Sequence, residues 1–260
     1  MAWVLDLDGV IWLGDKPIEG SIEAVKRLDS EGEQILFVTN FSAMRKNEME
    51  AKLNNFGLNA TDRVITSAMA AASLIEPGER VLVCGGPGVT EAVQARGAEA
   101  IDPSDHFDRN ISVDAVVVGF HKNFDFNRLA VCARALHQNA RLITTNIDPT
   151  YPTADGLLPG NGSITAAVAT AGKVDAVVAG KPHQPVAQLI MRHLGISEAT
   201  VNDIVVGDLP STDGLLATEL NFRFGLVLSG VTDVNTALKL DPQPNMVCPD
   251  LASLVSQALG

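Results

Sequence analysis

Residues 3–10 read Trp3-Val4-Leu5-Asp6-Leu7-Asp8-Gly9-Val10. Three consecutive apolar residues run into two acids spaced i, i+2, and a glycine follows at once. An apolar run with no polar alternation is the mark of a strand covered on both faces, as in a parallel sheet. Side chains at i and i+2 of extended backbone point the same way, so both carboxylates face one place. In an open parallel sheet that place is the crevice beyond the carboxyl ends of the strands. An Asp-Gly pair after a strand is also a common turn, so other strand ends must decide between the two readings.

Working outward, further apolar segments alternate with helical patterns through the chain. The strand candidates are Gln34–Val38, Val81–Cys84, Ala115–Val118, Arg141–Thr144, Ala176–Val178, Ile204–Val206 and Phe224–Leu228. Helical periodicity falls in Ile22–Glu31, Arg45–Phe56, Gly88–Arg96, Phe126–Leu136, Ser163–Ala171 and Pro185–Leu194. Such alternation predicts right-handed β-α-β crossovers, hence an α/β fold with a doubly wound parallel sheet. Residues 79–173 contain their own set of strands and helices, bracketed by Pro77-Gly78 and Ala171-Gly172-Lys173. The expected organisation is therefore a core from 1–78 and 174–260, with a smaller α/β domain, 79–173, inserted in it.

Three more strand ends carry polar chemistry. Phe37-Val38-Thr39-Asn40 ends in a hydroxyl and an amide, groups suited to an anionic oxygen. Gly180-Lys181-Pro182 places an ammonium after a strand. Val206-Gly207-Asp208 ends in an acid, with Asp213 five residues on. Hard cations such as magnesium take oxygen ligands, and Asp6 with Asp208 offers two carboxylates for one. Together these strand ends hold a nucleophile, an acid/base, an oxyanion binder, a cation and a metal site, the parts of phosphoryl transfer.

Bulk properties narrow the partners. Nineteen basic against 31 acidic residues give a net charge of −12, which repels nucleic acid and anionic membranes. No stretch approaches the ~18 apolar residues of a membrane span. The cysteines Cys84, Cys132 and Cys248 are odd in number and widely spaced, which predicts buried thiols and a reducing compartment. With no signal-peptide pattern at the N-terminus, the expected location is the cytoplasm. The glycine-rich turn Cys84-Gly85-Gly86-Pro87-Gly88 lacks the dinucleotide-binding spacing and reads as a βα turn of the inserted domain.

The ordered set Asp6-Leu7-Asp8-Gly9-Val10, Thr39-Asn40, Gly180-Lys181-Pro182 and Gly207-Asp208 with Thr212-Asp213 resembles the four motifs of the haloacid dehalogenase superfamily. The wide gap between Thr39 and Lys181 is similar to that of the NagD-like phosphatases, which carry a large α/β cap there on a Rossmann-like core. The stretches Gly119-Phe120, Thr145-Asn146-Ile147-Asp148-Pro149-Thr150-Tyr151-Pro152 and Pro159-Gly160-Asn161-Gly162-Ser163 are similar to parts of that cap.

The resemblance implies a Mg2+-dependent phosphomonoester hydrolase acting on a small phosphorylated metabolite. It implies Asp6 as nucleophile, Asp8 as general acid/base and Lys181 as the neutralising cation. Thr39 and the backbone beside Asn40 would bind phosphoryl oxygens. Asp6, the Asp8 backbone carbonyl and Asp208 would hold the metal, with Asp213 orienting its waters or Lys181. Asn146, Asp148 and Tyr151 are the expected substrate contacts of the cap, and a homodimer through the cap is the expected assembly. A phosphate-ester binding protein without turnover and a phosphotransferase are the alternatives kept open. Phe41, Ser42 and Ala43 after Asn40, His121 and Gly214 depart from the family pattern, so the resemblance does not carry a substrate.

Overall fold

The computed structural model describes residues 1–107, 111–153 and 156–260. In chain order the first strands are β1 (Ala2–Leu5), β2 (Trp12–Leu13), β3 (Lys16–Pro17), β4 (Gln34–Thr39) and β5 (Val64–Thr66). Then come β6 (Arg80–Cys84), β7 (Glu99–Ile101), β8 (Ala115–Val118), β9 (Arg141–Thr144), β10 (Thr150–Thr153) and β11 (Gly156–Pro159). The last are β12 (Val177–Val178), β13 (Ile204–Gly207), β14 (Arg223–Val227) and β15 (Met246–Cys248). The helices are α1 (Ser21–Ser30), α2 (Lys46–Asn55), α3 (Ser67–Ala72), α4 (Pro87–Ala95) and α5 (Phe126–His137). They continue with α6 (Asn161–Gly172), α7 (Gln184–Leu194), α8 (Leu215–Leu220), α9 (Val234–Ala237) and α10 (Leu251–Leu259).

The chain forms two compact units. The first comprises Met1–Thr39, Asn47–Ile65 and Lys181–Gly260. Its six-stranded sheet has the order β15-β14-β13-β1-β4-β5. Pairing is parallel from β15 through β4, with Leu5 opposite both Val206 and Phe37. All four β1 residues are buried, which accounts for the unbroken apolar run. The order reverses at β1, with β4 on one side and β13 on the other, and that is the switch point where a doubly wound sheet opens its crevice.

Local signals agree with this packing. In α1, Ser21, Ile22, Ala24, Val25 and Leu28 are buried, the spacing of one helical face. α1 packs with α10, and α7 with α8. Asp250 caps α10 by accepting from Ser253 N at 2.7 Å. Asp203 Oδ1 accepts from Ala2 N at 2.7 Å and ties the start of β1 to the residue before β13.

The second unit comprises Asn40–Lys46 and Thr66–Gly180. Its five-stranded parallel sheet runs β12-β9-β8-β6-β7. A core including Leu82, Val116, Val118, Val131, Leu142 and Val168 lies between this sheet and its helices. The sequence places the inserted segment at 79–173, whereas the packing groups a longer stretch. α3 belongs with α4, and β12 pairs with β9, so both ends of the segment extend beyond their Pro-Gly and Gly-Lys punctuation.

The grouping of Asn40–Lys46 follows from close packing at the glycine-rich turn. A Cβ on Gly88 would sit 2.1 Å from Met44 O, so only glycine admits that backbone. Gly88 N donates to Ala43 O at 3.0 Å, and Ser42 Oγ accepts from Phe120 N at 3.0 Å. All three cysteines are free and buried. No helix among the described residues is long and apolar enough to cross a membrane.

Candidate active site

Asp6 continues β1 by one residue, its N–H donating to Val206 O at 2.9 Å. The carboxylate leaves the sheet at the switch point. Its Oδ1 accepts from Leu7 N at 2.8 Å and forms an ion pair with Lys181 Nζ at 2.7 Å. Lys181 Nζ also donates to Asp213 Oδ1 at 2.7 Å. The lysine side chain is 3% exposed and the Asp213 side chain 0%, so the ammonium lies buried between two carboxylates.

The π-helical turn Pro210–Gly214 returns Asp213 onto the end of β13. Asp213 Oδ2 there accepts from Leu209 N at 3.1 Å. The approach is tight, since a Cβ on Gly207 would lie 2.1 Å from Asp213 Cγ. Asp208, directly after β13, has its Oδ2 held by Val231 N at 2.6 Å. Among the described residues, Asp6, Asp208 and Asp213 form a group in which each offers one carboxylate oxygen, and these three oxygens lie within 4.8 Å of one another.

The electrostatics follow from that crowding. Burial pushes the Asp6 carboxyl up; the Lys181 ammonium pulls it down, and Asp213 and Asp208 push it up again. Burial, aided by Asp213, raises Asp208 to about 6 against the lowering of its Val231 N–H bond. For Lys181 burial favours the neutral amine, but Asp213 and Asp6 outweigh it and hold the ammonium firmly charged. Three carboxylates around one ammonium leave a local excess of negative charge made of hard oxygen donors, which fits a divalent cation.

Asp8 stands apart from this trio. Its Oδ1 accepts from Trp12 Nε1 at 2.9 Å. Desolvation raises its carboxyl above the ordinary range, against the lowering influence of the Trp12 N–H, Lys52 and Lys181. Thr39 ends β4 and is 2% exposed. Asn40 belongs to the second unit, where its Nδ2 donates to Asp148 Oδ2 at 3.2 Å and its carbonyl accepts from Ser67 Oγ at 2.6 Å. Asn146 Nδ2 donates to the same Asp148 oxygen at 2.5 Å. Tyr151 packs edge-on against Phe120, with 4.9 Å between ring centroids.

The first unit thus joins Asp6, Lys181, Asp208 and Asp213, four residues spread over more than 200 positions of sequence. In the second unit Asn40, Asn146 and Asp148 form a separate hydrogen-bonded set. Sequence reasoning missed Trp12 and the Val231 N–H. An N–H-bearing aromatic four residues after Asp8, across a glycine turn, was the available signal for Trp12. The Val231 contact has no local signal, because only the pairing of β13 with β14 brings that loop to Asp208.

Similarity to known proteins extends over nearly the whole chain. Residues 3–99 match the family described as haloacid dehalogenase-like hydrolase, and residues 178–254 the one described as HAD-hydrolase-like. The chain is 32% identical to an acid sugar phosphatase of Staphylococcus saprophyticus, over 98% of this chain and 97% of that protein. It is 35% identical to a D-glycerol 3-phosphate phosphatase of Mycobacterium tuberculosis, over 96% of this chain and 70% of that one. The crystal structure of glycerol phosphate phosphatase from that organism, in complex with magnesium, superimposes with a TM-score of 0.86 at 33% identity. It covers 97% of this chain and 76% of that one. A p-nitrophenyl phosphatase from Archaeoglobus fulgidus gives a TM-score of 0.87 at 28% identity over 98% of both chains.

Proposed function

The chain belongs to the haloacid dehalogenase-like hydrolases, and from that premise we propose that this phosphatase uses Asp6 to take the phosphoryl group from a small sugar or polyol phosphate. The observation that carries the residue assignment is Lys181 buried between Asp6 and Asp213, beside Asp208, at the switch point of the sheet. A carboxylate meets an anionic phosphate only where positive charge offsets the repulsion. Lys181 supplies part of that charge.

Asp6, Asp208 and the Asp8 backbone carbonyl would hold a divalent cation, proposed to be magnesium, which would supply charge neutralisation to the phosphoryl oxygens. The magnesium complex of the mycobacterial glycerol phosphate phosphatase supports that choice of ion. Thr39 and the N–H of Asn40 take phosphoryl oxygens. The Asp6 carboxylate attacks phosphorus and forms an O–P bond. The bond to the leaving oxygen breaks as Asp8 gives that oxygen a proton. Asp8 then accepts a proton from water, the water oxygen attacks phosphorus, and the Asp6–phosphorus bond breaks to release inorganic phosphate. The raised carboxyl of Asp8 suits a group that must be protonated in the first step.

The relatives named for sugar and glycerol phosphates support that substrate class. Asn146, Asp148 and Tyr151 are proposed to bear on the choice of leaving group, and alanine at each should then reorder preference across a panel of phosphate esters. The free cysteines support a cytoplasmic location. A homodimer through the second unit is the proposed assembly, checked by light scattering.

The deciding experiment measures phosphate release from 4-nitrophenyl phosphate with magnesium, with EDTA, and after Asp6→Asn. The expected result is turnover that needs the metal and vanishes in the variant. If the wild type shows no metal-dependent turnover on that ester or on a broad panel of sugar and polyol phosphates, the proposal fails.

A further inference from the structure

Trp12 is a core residue by composition, yet its one polar atom is spent on the acid/base. The indole Nε1 donates to Asp8 Oδ1 at 2.9 Å. Everything around the ring fixes that direction. Trp12 is 2% exposed, and its backbone is held at both ends, Trp12 N donating to Leu7 O at 3.2 Å and Gly9 N to Trp12 O at 2.8 Å. The Lys52 ammonium, on α2, lies 4.3 Å from the ring centroid, a cation–π contact. Lys52 Nζ also donates to Gly14 O at 3.0 Å, which anchors the β2–β3 hairpin over the same helix. Phe56 packs against the indole at 6.1 Å between centroids. All these residues lie in the first unit.

A carboxyl that transfers protons has two oxygens and must present the right one. In the protonated acid the carbonyl-type oxygen is the better acceptor, while the other carries the hydrogen. An N–H fixed on Oδ1 therefore marks Oδ1 as the acceptor and leaves the proton on Oδ2. We infer that Trp12 is a positioning residue for the general acid, its indole N–H choosing Oδ2 of Asp8 as the oxygen that gives and takes the proton. The inference rests on the reading of Asp8 as acid/base.

Leaving-group chemistry separates this role from a structural one. Phenyl phosphate releases a basic phenolate that needs a proton as the bond breaks; 4-nitrophenyl phosphate releases an anion its nitro group already stabilises. The two esters have nearly the same shape. The comparison uses kcat/KM, which reports transfer to Asp6 and not the later hydrolysis. Trp12→Phe keeps an aromatic ring and removes the donor. It should lower kcat/KM for phenyl phosphate about ten-fold more than for 4-nitrophenyl phosphate, a fraction of what a general acid contributes.

Asp8→Asn is measured on the same pair. If Asp8→Asn discriminates between the esters and Trp12→Phe lowers both equally or neither, the inference falls and the acid/base reading stands. If neither variant discriminates, the reading of Asp8 falls first and the inference with it. Should Trp12→Phe unfold, 3-benzothienylalanine incorporated at position 12 keeps the indole outline and replaces only the N–H by sulfur. The same ten-fold discrimination is expected there, and equal rates for the two esters relative to wild type would overturn the inference.

Discussion

Replacing Lys181 by methionine removes the one ammonium between Asp6 and Asp213 while keeping most of its volume. Both ion-pair distances are 2.7 Å and both flanking carboxylates are largely or fully withdrawn from water. Deleting one partner of such a buried set leaves charge uncompensated, which costs about 3–5 kcal/mol. For a chain of this size ~1 kcal/mol moves Tm by roughly 2–4 °C, so the metal-free variant should melt about 10 °C below wild type. Adding Asp213→Asn should recover part of that loss, because the second substitution removes a stranded charge. A packing defect predicts the opposite, a further loss. The deficit should also shrink on acidification, since burial already pushes the Asp6 carboxyl up and the variant removes the ammonium that pulls it down, so Asp6 takes up a proton as pH falls. Turnover of 4-nitrophenyl phosphate by Lys181→Met should drop by about 10²-fold or more. Circular dichroism melts in EDTA and steady-state kinetics read both effects. A melt unchanged from wild type, or a double variant less stable than Lys181→Met, would refute the electrostatic account.

Three further outcomes follow from the same geometry. Asp208 is held near 6 in the fold, above the ordinary carboxylate value, so its ionisation opposes folding. The penalty is fully present above about pH 6 and gone below about pH 4; metal-free Asp208→Asn should be more stable than wild type at pH 7 by on the order of 2–3 kcal/mol, with the gap closing at acid pH. Gly207→Ala places a carbon 2.1 Å from Asp213 Cγ and must displace the group that anchors Lys181. Its cost should be about 1–3 kcal/mol in stability, with a larger proportional loss of turnover, read by melts and kinetics on one preparation. Magnesium added at pH 7 should raise the Tm of wild type and leave that of Asp6→Asn/Asp208→Asn nearly unmoved, as measured by a metal titration.

Much of this is legible in the sequence. The runs at Trp3–Leu5, Ala115–Val118 and Ile204–Val206 are apolar on successive positions because both faces of a parallel sheet are covered, and each forms a strand. Asp6 and Asp208 could be paired on paper because strand ends of such a sheet converge. Shorter elements escaped. β5 and β7 have three residues each, too few for a period, and α3 is a six-residue alanine-rich helix of under two turns, too short to show an amphipathic period. The grouping of Asn40–Lys46 with the second unit depends on Gly88 meeting Met44, a contact between segments more than forty residues apart, which no local pattern announces. Trp12 escaped as a partner of Asp8, since burial and hydrogen bonding at one residue leave the same trace in sequence.

The position of β1 in its sheet has a consequence for synthesis. The strand that leads into Asp6 leaves the ribosome well before its neighbour β13, which is about 200 residues later in the chain, as the Ala2–Asp203 hydrogen bond shows. At roughly 5–20 residues per second, one edge of a wholly apolar strand waits about 10–40 s for its partner. During that wait residues 66–180 emerge complete, with their own sheet. The nascent chain must therefore shield Ala2–Leu5 while the second unit is synthesised between Asp6 and the Asp208 and Asp213 carboxylates. A slow stretch of translation or a chaperone holding the N-terminal strand would act on this chain more than on one whose central strands are close in sequence.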